Sequence, residues 1–102
     1  MNPFIIARKN DVIEICKRRH VRRLEIFGSA TTSAFDPARS DVDLIVDFDE
    51  AARERLLDSY FGLKEDLEAL FGRPVDLLTS VPVRNPYLRA SIDGSRQTLY
   101  AA

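Results

Sequence analysis

The sequence predicts a small α/β domain whose sheet packs one face against helices, and three observations carry that prediction. Asp41 to Phe48 alternates strictly, with Val42, Leu44 and Val46 on one side and Asp41, Asp43, Ile45 and Asp47 on the other, as a strand with one apolar face requires. Ala51 to Phe71 places Leu56, Tyr60, Leu63, Leu67 and Leu70 on one helical stripe. The chain has 102 residues, 45% of them hydrophobic, which suits one compact domain over residues 1–102 with a usable core.

The remaining elements follow in order. Ile5, Val12, Ile13 and Cys16 recur at helical spacing, so a helix is expected within Phe4 to Arg19, begun at Asn2-Pro3 or later at Asn10-Asp11. Arg23 to Phe27 reads as a short strand running into Gly28-Ser29. Thr31 to Ser40 is rich in small and turn-forming residues, with Asp36-Pro37 favouring a turn. Gly72 followed by Arg73-Pro74 stops the long helix, because glycine accepts the left-handed cap and proline cannot continue the turn. Pro74 to Thr79 reads as another short strand. Asn85-Pro86 opens a last helix around Tyr87 to Ile92, and Gln97 to Tyr100 reads as an edge strand.

Charge is balanced overall, 15 basic residues against 16 acidic, which gives no general pull towards nucleic acid or membrane. The distribution is uneven. Seven Lys or Arg stand against two acids between Met1 and Arg23, whereas twelve acids stand against five bases between Asp36 and Asp76. Arg18, Arg19, Arg22 and Arg23 read as a solvated face, since no interleaved aromatics offer stacking platforms for bases. His20 reads as a helix C-terminal residue that complements the dipole. Asp47, Asp49 and Glu50 suit capping of the next helix. Cys16 is the single cysteine, among apolar neighbours, so no disulfide or cysteine-based zinc site is available. No stretch has membrane-spanning length and no signal-peptide pattern is present, so a cytoplasmic location is expected.

Three features converge on one chemistry. Gly28 lets a ligand approach the backbone, and Ser29 can donate its hydroxyl to a phosphate oxygen. Asp41 and Asp43, at i and i+2 on a strand, point to the same face and can reach one ion; magnesium takes such hard oxygen ligands together with substrate phosphates. Asp76 alternates with Val75 and Leu77, so it joins the same face if its strand neighbours the Asp41–Phe48 strand. There it can complete a second metal site or take a proton from an attacking hydroxyl.

Eleven residues separate Ser29 from Asp41. A strand, Gly-Ser, a linker of that length and Asp-x-Asp on an apolar strand together resemble the signature of the polymerase β-like nucleotidyltransferase superfamily. Leu24-Glu25-Ile26-Phe27-Gly28-Ser29-Ala30 and Phe35 through Val46 look most similar to the minimal nucleotidyltransferases, the MNT proteins of prokaryotes. The resemblance extends through Pro74–Leu78 and Asn85–Ala90.

That resemblance implies a small mixed sheet with helices on one face. It implies magnesium on Asp41 and Asp43, triphosphate held at Gly28 and Ser29, and Asp76 as the third acid. ATP would donate AMP to a hydroxyl, with pyrophosphate leaving. One departure stands out: many members carry an Arg shortly after Gly-Ser, where this chain has Ala30-Thr31-Thr32-Ser33. Relatives acting on drugs or nucleic acids generally carry an added acceptor domain, so the acceptor here is expected to be a partner protein. Within the resembled family that partner is frequently a HEPN-type toxin, with the MNT protein as its antitoxin. The alternative expectation is an antitoxin-like binding module that neutralises its partner by direct association. The acceptor, the base of the nucleotide and the oligomeric state are not legible.

Overall fold

The computed structural model describes residues 3–31, 36, 40–79 and 96–102, with the backbone alone for Ser29 and Ala30. The elements are α1 (Pro3–Ile6), α2 (Lys9–Arg18), β1 (Val21–Phe27), a 3-10 turn (Gly28–Thr31), β2 (Val42–Phe48), a second 3-10 segment (Glu50–Arg55), α3 (Leu56–Phe71), β3 (Val75–Thr79) and β4 (Gln97–Ala101). The four strands form one sheet in the order β3-β2-β1-β4. β1 pairs antiparallel with both β2 and β4, whereas β2 and β3 run parallel, so the sheet is mixed. α3 supplies the long connection that two parallel neighbours require.

The core lies on one face of this sheet. Leu24, Ile26, Val42, Leu44, Val46, Val75, Leu77 and Leu99 meet Ile5, Val12 and Cys16 from α1 and α2 and Leu63, Leu67 and Phe71 from α3. This is the alternation the β2 sequence predicts, since Asp43, Ile45 and Asp47 are left for the opposite face. Each fully buried aliphatic side chain there contributes about 1.5–3 kcal/mol. The opposite face carries a smaller apolar group, Phe27 and Ile45 with Leu78 packed on it.

The end of α3 follows its sequence signal. Gly72 adopts φ 66°, and its N–H donates to the Glu68 carbonyl. β3 is an edge strand, and α3 side chains occupy its open backbone groups. The Glu68 carboxylate accepts from the Val75 N–H at 3.1 Å, and the Tyr60 hydroxyl donates to the Leu77 carbonyl at 2.6 Å. Such cover blunts an edge that would otherwise template pairing with another chain.

Two expectations are corrected. The single N-terminal helix is two helices. The chain tightens at Ala7-Arg8, where the Arg8 N–H donates to the Ile5 carbonyl and the Arg8 guanidinium takes the Phe4 carbonyl at 2.9 Å. Leu56, expected on the core stripe, is 50% exposed. It is the first residue of α3, directly after the 3-10 segment, and lines a shallow surface cavity with Phe48 and Arg53. Ala52 is buried instead, and farther along α3 Ser59 and Phe71 join Leu63 and Leu67. The helix expected at Tyr87 to Ile92 lies outside the described residues.

Candidate active site

β1 ends at Phe27, which lies directly opposite Asp43 on β2. The next residue, Gly28, turns the chain with φ 73°, a conformation that L side chains rarely adopt. A Cβ placed on Gly28 would stand 2.7 Å from Asp43 Oδ2. The glycine therefore serves two needs at once, the turn and the space for the Asp43 carboxylate. The Thr31 hydroxyl then donates to the Gly28 carbonyl at 2.8 Å and closes the 3-10 turn. The Ser29 backbone lies within this turn; the hydroxyl assigned to phosphate binding falls outside the described atoms.

Asp43 pairs in register with Asp76 across the parallel β2–β3 ladder. Neighbouring strands stand about 4.8 Å apart, so the two carboxylates rise side by side from the face opposite the core. Asp41 is exposed and lies just before β2, two residues from Asp43. The half-buried Asp43 carboxyl is pushed above the ordinary aspartate range, first by burial, then by the charges of Asp76 and Asp41. Both neighbours act on it as like charges. A cation relieves that repulsion, and carboxylates are the hard oxygen donors magnesium takes. Among the described residues no three His, Cys, Asp or Glu side chains close on one point as a metal cage. The donor set fits magnesium held by one or two carboxylates and completed by phosphate oxygens and water, which is its usual mode beside a nucleotide.

Arg18, Arg22 and Arg23 keep more than half of their side chains exposed, as a solvated face requires, and these arginines and Arg19 are also paired with acids. Arg19 Nε meets Asp66 at 2.8 Å and Arg18 meets the same oxygen at 3.4 Å. Arg22 pairs with Asp47, so Asp47 is an ion-pair partner and not a cap. Arg23 and Arg96 both engage Glu25, which is nearly buried on β1. Asp49 does cap the following segment, accepting from the Ala51 N–H at 2.8 Å. His20 sits beyond the end of α2 at φ 59°, and its carbonyl accepts the Asp49 N–H. Cys16 is fully buried and its thiol is pushed up to about 12 by burial, so it is no nucleophile.

Glu25 received no role from the sequence. Its signal was there, as a charged residue inside the apolar run Leu24-Glu25-Ile26-Phe27, a position where a strand buries charge only beside a partner. A shallow cavity of about 300 Å³, lined by Arg22, Phe48, Asp49, Glu50, Arg53 and Leu56, lies at the other end of β1 and β2 from Gly28 and Asp43. It contains none of the site acids. No helix among the described residues is long and apolar enough to cross a membrane.

Comparison with known proteins agrees with this geometry. A family model described as a nucleotidyltransferase domain matches residues 9–99. Two Methanocaldococcus jannaschii proteins named as candidate protein adenylyltransferases are similar. One is 36% identical over 88 residues, covering 86% of this chain and 85% of the relative. The other is 39% identical over 79 residues, 78% of each. A solved structure described as a candidate minimal nucleotidyltransferase superposes with a TM-score of 0.68 at 30% identity, covering 91% of this chain and 90% of that one. The fold is shared as well with a Shewanella oneidensis complex of a tri-AMPylated HEPN toxin with its MNT antitoxin. There the TM-score is 0.58 at 18% identity, over 95% of this chain and 72% of the other. With a family model spanning most of its length and relatives matched almost end to end, the chain belongs to the nucleotidyltransferase-domain family, as a protein of the minimal nucleotidyltransferase type.

Proposed function

We propose that the chain is a magnesium-dependent nucleotidyltransferase that moves AMP from ATP to a hydroxyl on a partner protein, and that the partner is a HEPN-type toxin for which it serves as antitoxin. The observation that carries this reading is the placement of Asp43 between Gly28 and Asp76, with Asp41 just before the same strand. In the proposed reaction the acceptor oxygen bonds to the α-phosphorus, the bond from that phosphorus to the β-phosphate bridging oxygen breaks, and pyrophosphate departs. The hydroxyl proton passes to Asp76, which stands beside Asp43. Magnesium, when bound, neutralises charge on the phosphates and helps align the displacement. Asp41 and Asp43 hold it, Gly28 leaves the backbone open to the triphosphate, and Ser29 donates to a phosphate oxygen. The names of the archaeal relatives support transfer to protein, and the toxin–antitoxin fold neighbours, one with AMP-PNP, support a partner and a nucleotide.

A second reading is favoured by the cation-free stretch Ala30-Thr31-Thr32-Ser33. On it the chain neutralises its partner by association alone. Leu57 and Phe61, 72% and 56% exposed one turn apart on α3, offer an apolar surface for such contact. The two readings separate in one experiment with labelled ATP, magnesium and the product of the neighbouring gene. Labelling of that protein, abolished by Asp41→Ala with Asp43→Ala, supports transfer. Full neutralisation by the same double variant, with no labelling by the natural chain, replaces transfer with association.

A further inference from the structure

We propose that Arg73 is a positioning residue for Asp41, holding the backbone that leads into β2 so that the first of the two paired aspartates stands at a fixed place. The inference rests on the reading of Asp41 as a metal ligand. It starts from an asymmetry between the two acids. Asp43 is fixed inside the sheet, paired with Phe27 on one side and Asp76 on the other. Asp41 precedes β2 and is exposed, so its position depends on the peptide before it.

That peptide is held by Arg73. One guanidinium nitrogen donates to the Ser40 carbonyl at 3.2 Å and, at 3.5 Å, to the Asp36 carbonyl. Its Nε donates to the Phe71 carbonyl at 3.1 Å, in the last turn of α3. The guanidinium carbon lies 4.5 Å from the centre of the Phe4 ring, a cation–π contact that seats the group against α1. Ser40 and Asp36 also close on each other, the Ser40 N–H donating to the Asp36 carbonyl at 2.8 Å and the Asp36 N–H to the Ser40 hydroxyl at 2.9 Å. On the other side of Asp41, the Val42 N–H donates to the carbonyl of Pro74, the residue after Arg73. Asp41 is thus bracketed by two bonds that both originate at Arg73-Pro74.

A planar fork of donors can meet carbonyls from two segments while stacking on a ring; an ammonium cannot reproduce that geometry. Gly72 makes the arrangement possible, because its left-handed turn ends α3 and brings Arg73 back across the helix end. Groups that orient a metal ligand without touching the metal commonly cost tenfold or more in metal affinity when removed.

The test uses the full chain, with Mn2+ titrated in the presence of AMP-PNP and followed by electron paramagnetic resonance. Amide hydrogen exchange at Ser40, Asp41 and Val42 is measured separately without metal. Arg73→Gln and Arg73→Lys are expected to weaken Mn2+ binding about tenfold. They are also expected to speed exchange at those three amides while leaving Leu44 and Val46 unchanged. Phe4→Leu keeps the carbonyl bonds and should retain most of the affinity. Natural affinity in both Arg73 variants overturns the proposal, whichever way exchange moves. Faster exchange throughout β2 also overturns it, since the loss is then one of fold. If the natural chain itself binds no Mn2+, the reading of the site fails and this inference with it, a result that the natural chain alone reveals.

Discussion

Gly28 and Asp43 compete for one space: the Cβ that any other residue would add at position 28 falls 2.7 Å from Asp43 Oδ2. The glycine is also at φ 73°, so two separate costs attend its replacement. An alanine in the left-handed region costs about 1–2 kcal/mol, and the carboxylate must in addition rotate away from its place beside Asp76. Gly28→Ala is therefore expected to lower the melting temperature and to abolish binding of Mg·ATP. Adding Asp43→Ala to Gly28→Ala should recover part of the stability, because the contact disappears and the backbone cost alone remains. Melting curves of the three variants decide this; equal stability of the single and double variants contradicts a shared space.

Asp43 carries a cost of its own. Burial and the charges of Asp76 and Asp41 raise its folded pKa above the unfolded value, so the ionised carboxylate disfavours the fold at neutral pH. That cost is full above the folded pKa, shrinks as pH falls below it and is gone once pH lies below the unfolded value. Asp43→Asn is thus expected to stabilise the metal-free chain at pH 7 by up to about 1 kcal/mol, a modest figure because the group is only half-buried. On the proposed reading of Asp43 as a metal ligand, magnesium is expected to reverse the order, because only the natural chain would gain stability from the bound ion. Thermal melts at pH 7 with and without magnesium read both effects. A metal-free Asn variant that melts below the natural chain contradicts the argument.

What the sequence showed and what it hid divide along physical lines. The alternation from Val42 to Phe48 and the Gly72 stop are local patterns, and both appear in the structure where the pattern put them; of the Asp-x-Asp pair only Asp43 lies on the strand, since β2 begins at Val42 and leaves Asp41 just before it. The pairing of Asp43 with Asp76 depends on a parallel register set by α3, which spacing alone does not fix; the sequence supplied only the face, conditional on adjacency. Glu25, Arg73 and Asp66 take their roles from partners distant in sequence, such as Arg96, Ser40 and Arg19. No local period reports such pairs. Leu56 misled because a helical period reports which face a residue shares and not how far the layer beneath it extends; the core under α3 begins at Tyr60 and Leu63, beyond the first turn.

Asp66 ties α2 to α3 and gives stability a dependence on acid. Its hydrogen bond from Arg19 holds the carboxyl below the ordinary aspartate range, more than burial raises it, with Arg18 assisting. The stabilisation is fully present above the unfolded pKa, about 3.9, and is lost as pH falls through the lower folded value. Asp66→Asn should cost about 0.5–1 kcal/mol at pH 7, the scale of a partly exposed pair. The gap between natural chain and variant should close as pH is lowered below about 4. Urea midpoints at a series of pH values test this, and a gap that is constant with pH contradicts it.

Glu25 joins the edge strand β4 to the centre of the sheet. It lies on β1 opposite Thr98 and accepts from Arg23 and from Arg96, the residue just before β4. Both guanidinium groups reach solvent, 54% and 39% exposed, while the carboxylate is 8% exposed. Glu25→Ala removes both charge-assisted bonds at once, and its arginine partners can then return to water; removing both arginines would instead strand a carboxylate that cannot. Glu25→Ala is expected to cost about 1.5–3 kcal/mol, the range for hydrogen bonds to charged groups. Arg23→Ala should cost less, since Arg96 still satisfies the carboxylate. If the cluster anchors β4, amide exchange at Leu99 and Tyr100 rises in Glu25→Ala and Arg96→Ala but little in Arg23→Ala. Equal protection of β4 in all three variants would mean that Leu99, buried in the core, holds the strand without them.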